Sequence, residues 1–172
     1  LSRLVGSEMC IRDRLKQVPD TTAKIAVSGG RVDQGSVSKW STSPYDEYAL
    51  EYALQLKESG AGDLVAITCG PARSSKMLTD AAAVGVDSML HVEVDTSEMD
   101  SKQIQSILAA AVKHCDADVI LCGKQAADTN SGSTGPGVAS LIDAACVGMV
   151  SEVSVDGDGF SALRGTPSGN ER

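Results

Sequence analysis

The sequence predicts an α/β fold with a mostly parallel, doubly wound sheet. Short apolar runs alternate with segments of helical period, and short loops join them, as in chains built from successive strand–helix–strand units. Aromatic residues make up only 3% of the chain, so the core is aliphatic and alanine-rich, which suits helices packed closely on a sheet. The apolar run 118–122 leads into a glycine-rich loop at 123–137 and then into a helix. Such loops hold phosphates in many α/β proteins, because free backbone N–H groups and a helix N-terminus converge there.

The individual elements follow from local patterns in chain order. After an extended segment that ends at Pro19 and a hairpin region at 24–40, the predicted strands are 63–68, 88–92, 118–122 and 147–155, with 160–164 pairing back after a turn. The predicted helices begin at Pro44, Ala72, Asp100 and Pro136. Pro44 and Pro136 suit a first helical turn, and Asp100 with Gln103 resembles a capping box.

The first residues do not fit this alternation. Residues 1–14 have neither a helical nor a strand period, and they are too charged for a signal peptide. Glu8 and Asp13 count against a mitochondrial transit peptide. We therefore expect a leader foreign to the fold at 1–14, a nucleotide-binding α/β domain at 15–164 and a truncated tail at 165–172.

Composition narrows the classes of function. The net charge of −8 without a long basic run argues against nucleic acid and against a membrane surface as the main partner. No apolar stretch approaches the roughly 18 residues of a spanning helix, so no membrane insertion is expected. None of the five cysteines forms a Cys-x-x-Cys pair. We therefore expect free thiols in a reducing compartment, with neither a disulfide framework nor a metal site.

Three loops at the predicted carboxyl ends of strands qualify as ligand sites. They lie at 69–71, from Asp95 onward, and from Gly123 onward. The last lacks the Gly-Lys-Ser/Thr ending of a Walker A loop, and it is not a Gly-x-Gly-x-x-Gly turn that opens directly on a helix. A nucleotide site formed by the first and third loops is a reasonable inference, although such loops also serve as mere connections, and the spacing does not identify the nucleotide.

Five motifs carry a resemblance to a known family. They are Lys-Gln-Val-Pro-Asp at 16–20, Ser-Pro-Tyr-Asp-Glu at 43–47, Ala-Ile-Thr-Cys-Gly-Pro-Ala at 66–72, Ala-Ala-Val-Gly-Val-Asp at 82–87 leading to His-Val-Glu at 91–93, and Leu-Cys-Gly-Lys-Gln-Ala at 121–126. In order and spacing the chain resembles the β subunit of electron transfer flavoprotein over roughly 15–164. The resemblance implies a Rossmann-like fold of the adenine-nucleotide α-hydrolase type, in a fragment with an atypical N-terminus and a missing C-terminal part.

The resemblance also implies a function. Members form a heterodimer with an α subunit that holds the redox-active FAD, and they carry electrons from primary flavin dehydrogenases, such as those for acyl-CoA, without catalytic residues of their own. The β subunit binds a structural AMP, or a second FAD in a bifurcating branch. The implied location is the bacterial cytoplasm, or the mitochondrial matrix in a eukaryote.

The resemblance assigns cofactor-binding residues to three segments. They are Ser43, Pro44, Tyr45 and Asp46 in the first, Cys69 in the second, and Gly123, Lys124, Gln125, Ala126, Ala127, Asp128, Thr129, Asn130, Ser131, Gly132, Ser133 and Thr134 in the third. Two positions depart from the family pattern. Arg14 stands where members end their first strand in a small residue that touches the nucleotide, and Ser43 stands where many have Asn.

Two other functions are compatible with this type of fold. A stand-alone ATP-binding stress protein would begin its phosphate loop with Gly-x-x-Gly, but Ala126 stands three residues after Gly123. An adenylating enzyme would carry a Ser-Gly-Gly-x-Asp-Ser loop after its first strand. The Ser-Gly-Gly at 28–30 is followed instead by Arg-Val-Asp and by no predicted helix.

Overall fold

A computed structural model describes residues 9–157 and 159–172. Its strands are β1 (Met9–Arg14), β2 (Gln17–Pro19), β3 (Ala26–Ser28), β4 (Arg31–Asp33), β5 (Trp40–Thr42), β6 (Gly62–Gly70), β7 (Ser88–Glu93), β8 (Val119–Cys122), β9 (Val150–Asp156), β10 (Gly159–Thr166) and β11 (Gly169–Glu171). Its α-helices are α1 (Pro44–Glu58), α2 (Ser75–Ala83), α3 (Ser101–His114) and α4 (Thr134–Ile142).

Four parallel strands form the central sheet, in the order β7-β6-β1-β8. The strand β1 has β6 on one side and β8 on the other, because the chain passes from β1 to β6 and β7 and then returns across the sheet to β8. This is the topological switch point at which open α/β sheets bind ligands. The strands β2 and β5, β3 and β4, and β9, β10 and β11 form three small antiparallel sheets. The predicted α/β fold with a mostly parallel sheet is confirmed.

Aliphatic side chains cover both faces of the central sheet. On one face Ile11 of β1 and Leu64 of β6 pack with Ala53 and Leu56 of α1 and with residues of α2. On the other face Ile67 of β6 packs with apolar residues of α3 and α4. Helices on both faces make the sheet doubly wound, as predicted, and they fix the positions of the loops at its carboxyl edge.

The expectation that no strand precedes Leu15 is wrong. Residues Met9–Arg14 form β1, the strand at the switch point, in parallel register with both β6 and β8. Ile11 and Asp13 have no exposed surface, and Arg12 is 5% exposed. Three consecutive charged residues hide the apolar pattern that identifies a buried strand in a sequence. Pairing with two neighbouring strands nevertheless satisfies the backbone hydrogen bonds of β1, whatever its side chains are. Residues 1–8 of the predicted leader lie outside the described part, and the domain bounds stay a prediction.

The C-terminal part forms the three-stranded antiparallel sheet. The predicted return of 160–164 is confirmed by the pairing of β10 with β9. Residues of the predicted tail also pair, since β11 lies antiparallel to β10. Val153 and Phe160 pack against the core on the α1 side of the central sheet, and the Tyr52 hydroxyl donates to the Ser151 carbonyl at 2.8 Å. In the part of the chain that the structure describes, no helix has the length and apolar character needed to cross a bilayer.

The predicted capping box of α3 is present. The Gln103 N–H donates to Asp100 Oδ1 at 2.8 Å, and the Asp100 N–H donates to Gln103 Oε1 at 2.9 Å. We expect Asp100→Ala to lower the free energy of unfolding by about 1 kcal/mol, because the Gln103 N–H loses the carboxylate that accepts its hydrogen bond. Urea unfolding followed by circular dichroism measures this change. A loss no larger than that of Lys102→Ala, an exposed position in the first turn of the same helix, would contradict the capping role.

Candidate functional site

The segment after β1 and the loop after β8 face each other at the switch point, and we call the space between them the crevice. The carboxylate of Asp46 links these two sides. It lies in the first turn of α1, which Pro44 begins, and has no exposed surface. Its Oδ2 accepts the Lys16 N–H at 2.8 Å, and its Oδ1 accepts the Gly123 N–H at 3.1 Å. Arg14 Nη1 lies 3.4 Å from Oδ2. Burial raises the pKa of Asp46, against the opposing effects of Arg14 and of the two N–H groups. One side chain thus holds the segment after β1 against the loop after β8.

The start of the loop after β8 requires a glycine. A Cβ at Gly123 would lie 2.4 Å from Asp46 Oδ1, 2.6 Å from the Tyr45 carbonyl carbon and 2.7 Å from the Asp46 nitrogen. Two of these atoms belong to the backbone, so a side chain could fit only if α1 moved. The backbone of the loop therefore passes the N-terminus of α1 too closely to leave room for a side chain.

Ser43 places an unsatisfied hydroxyl in the same region. Its N–H donates to the Lys16 carbonyl at 2.9 Å, and the residue is completely buried. It is the N-cap residue of α1, yet its side chain makes no capping hydrogen bond. The Oγ has no hydrogen-bond partner among the described residues. A buried hydroxyl of this kind is available for a polar group of a ligand.

Contacts within the crevice shape the rest of the loop. Lys16 Nζ contacts both Asp128 oxygens, at 2.6 and 2.8 Å, and so bridges the two sides of the crevice. Gln125 Nε2 donates to Asn130 Oδ1 at 2.8 Å. Asn130 adopts a left-handed conformation with φ of 51°. These contacts hold a long loop without regular secondary structure in one shape.

Two cysteines lie at the carboxyl ends of neighbouring strands, Cys69 in β6 and Cys122 in β8. Burial raises the pKa of the Cys69 thiol and raises that of Cys122 to about 12, and in both the charge of Arg14 acts in the opposite direction. Both thiols are therefore protonated near neutral pH. This protonation fits packing groups better than nucleophiles.

Comparison with known proteins decides the family. Residues 36–171 match the model of the electron transfer flavoprotein domain. The chain belongs to the electron transfer flavoprotein family. Its resemblance to β subunits is also confirmed. The chain is 35% identical over 152 residues to the electron transfer flavoprotein subunit beta of Bacillus subtilis, covering 87% of this chain and 59% of that protein. It is 32% identical over 172 residues to the subunit beta of Homo sapiens, covering 96% and 67%. The chain thus spans about three-fifths to two-thirds of the length of these relatives.

The structure brings together part of the site expected for the family. Ser43, Asp46 and Gly123 meet at the switch point, and Asp128 joins them through Lys16. Cys69 ends the neighbouring strand β6, and Tyr45 is 37% exposed on the first turn of α1. Within the loop, Gln125 and Asn130 bond to each other, and the Ser133 carbonyl accepts a hydrogen bond from α3 through Gln105. The other loop positions assigned from the sequence, among them Lys124, Thr129 and Ser131, are exposed or half-exposed.

Sequence reasoning did not identify the partners of two cationic residues of the crevice, Arg14 and Lys16. Arg14 was named only as a departure from the family pattern, and Lys16 only as part of a motif. Their partners, Asp46 and Asp128, are 32 and 112 residues away in sequence. The sequence does place oppositely charged residues near the predicted ends of strands. Which of these residues pair with each other can be inferred only once the strand order is known.

Proposed function

We propose that this chain acts as the β subunit of a heterodimeric electron transfer flavoprotein and holds a structural AMP at the switch point between β1 and β8. The observation that carries the proposal is the Asp46 carboxylate, which joins the segment after β1 to the glycine-rich loop after β8. Family membership supports the same assignment. The α subunit is the proposed partner and holds most of the FAD.

The residues of the crevice fit an adenine nucleotide. The unsatisfied Ser43 hydroxyl suits a ribose or base polar atom, and the strand end at Cys69 flanks the same space. Backbone N–H and hydroxyl groups between Asp128 and Thr134, next to the N-terminus of α4, suit a phosphate. The FAD of the heterodimer supplies the redox chemistry. The residues of this chain bind and orient the nucleotide, and Lys16 and Asp128 order the loop.

The proposed role is electron carriage without catalysis by this chain. Electrons would come from primary flavin dehydrogenases, such as those of fatty acid oxidation, and pass to a downstream acceptor. The proposed location is the bacterial cytoplasm, or the mitochondrial matrix in a eukaryote. Neither Lys124 nor Asp128 is assigned acid–base work, since one is exposed and the other is bound by Lys16.

Co-expression with a candidate α subunit tests the assignment. We expect a yellow heterodimer that contains one FAD and releases AMP on denaturation, as identified by mass spectrometry. Two flavins per heterodimer and no AMP would assign the site to a second FAD. A colourless chain that binds ATP without a partner would overturn the proposal in favour of a stand-alone ATP-binding domain.

A glycine pair provides the matched variants. We expect Gly123→Ala to release at least about tenfold less AMP per heterodimer, because the added methyl group collides with the N-terminus of α1. The control is Gly148→Ala, where an added Cβ meets nothing within 4 Å. The AMP content of each purified heterodimer checks the expectation. Equal AMP content in the two variants would place the nucleotide elsewhere.

A further inference from the structure

The side chain of Arg14 crosses the carboxyl edge of the central sheet. Successive strand residues point to opposite faces, and Ile11 and Leu15 lie in the core on the α1 side. Arg12 points to the other face, where its guanidinium donates to the Cys115 carbonyl at the end of α3. Arg14 shares that face with Arg12, yet its Nη1 lies 3.4 Å from Asp46 Oδ2 in α1. The side chain therefore passes over the end of β1 from one helical layer to the other.

This path runs through the ligand crevice. Arg14 lies in register with Cys122, the last residue of β8, and with Ile67 of β6, three residues before that strand ends. Its side chain is 13% exposed, and that of its partner Asp46 is 0% exposed. Doubly wound sheets bind their ligands just beyond the strand ends at this point. The guanidinium of Arg14 therefore lies at the edge of the sheet where such ligands bind.

We propose that Arg14 occupies the inner part of the nucleotide crevice and limits the affinity for adenine nucleotides. The inference rests on the proposed nucleotide site. A phosphate gains no net ion pair from Arg14, because the guanidinium already pairs with Asp46 in a buried position. The Arg14 side chain must also move out of the crevice when the ligand enters. A smaller, uncharged residue at position 14 removes both obstacles.

Variants at position 14 test the inference by equilibrium dialysis of the full chain with AMP. We expect the Kd for AMP to fall by about tenfold or more in Arg14→Ser. Arg14→Val should show the same fall, and it replaces the serine variant if that variant folds poorly, because valine suits a strand end. Arg14→Met keeps the volume, so it is expected to bind no more tightly than the unaltered chain. Arg31→Ser is the control, because that side chain is 67% exposed in β4 and pairs with Glu98 instead of with a residue of the crevice. Weaker binding by both small variants would overturn the inference and make Arg14 a phosphate ligand.

A second readout does not depend on nucleotide binding. An emptied crevice exposes the thiols on either side of position 14, so iodoacetamide should modify Cys69 and Cys122 several-fold faster in Arg14→Ser and Arg14→Val, as followed by peptide mass spectrometry. Arg31→Ser should leave both rates unchanged. If no variant binds AMP but the thiols react faster, the proposed nucleotide-binding function is wrong, and the inference that the Arg14 side chain fills the crevice is retained. Unchanged thiol rates in both small variants would overturn the occupancy itself.

Discussion

Asp13→Val is expected to raise the free energy of unfolding by about 3 kcal/mol. Asp13 lies in the middle of the central sheet with no exposed surface, and neither carboxylate oxygen has a hydrogen-bond partner among the described residues. Valine removes the buried polar group and adds apolar contact in a strand. Urea unfolding measures the change. Asp63→Val, at an exposed position of β6, is the control and should change stability by no more than about 0.5 kcal/mol.

The same residue predicts a dependence of stability on pH. Burial, and secondly the charge of Asp46, raise the pKa of Asp13 well above its ordinary value of 3.8. The folded state therefore binds more protons than the unfolded state from about pH 4 upward to the raised pKa, and stability falls as the pH rises through that window. Asp13→Val should make this fall in stability shallower. It should not abolish the fall, because the pKa of Asp46 is also raised. An identical slope in Asp13→Val would show that Asp13 is not buried as described.

Asp46→Ala is expected to lower the free energy of unfolding by about 3 to 5 kcal/mol. The substitution removes the acceptor of the Lys16 and Gly123 N–H groups, and it leaves the largely buried guanidinium of Arg14 without its carboxylate. The segment after β1 and the loop after β8 then lose their common link. Urea unfolding of the full chain measures the effect.

Glu47→Ala is the matched control for Asp46→Ala. Glu47 is the next residue of the same helical turn and is exposed, so its removal should change stability by no more than about 1 kcal/mol, through the helix dipole alone. Equal losses in the two variants would mean that Asp46 acts only as an acidic residue at a helix N-terminus. The double variant Arg14→Val with Asp46→Ala should recover part of the loss, because it removes the unpaired charge as well.

Elements with a strong local signal could be predicted from the sequence. The start of α1 follows from a proline and two acids in its first turn, and the start of α3 follows from Asp100 and Gln103. In both, the residues that determine the structure lie within one helical turn of each other. The loop after β8 was identified for the same reason, since its glycines and hydroxyl residues are contiguous.

The features that escaped prediction depend on contacts between distant residues. The strand β1 carries Arg12, Asp13 and Arg14, and its place in the sheet comes from backbone pairing with strands that lie roughly 50 and 110 residues later. The bridge from Lys16 to Asp128 and the buried pair of Arg14 with Asp46 follow from the strand order. A single sequence does not specify that order, so these contacts in the crevice could be found only in the folded chain.

Photo-crosslinking tests the location of the nucleotide most directly. The heterodimer is loaded with 8-azido-AMP, irradiated, digested with trypsin and analysed by mass spectrometry. The proposed site predicts label in the tryptic peptides 40–57, which contains Ser43 and Asp46, 58–73, which contains Cys69, and 125–164, which contains most of the loop after β8. Excess AMP should remove the label. Label that competes with AMP but lies in the α3 peptide 103–113, and in none of these three, would contradict a nucleotide site at the switch point between β1 and β8.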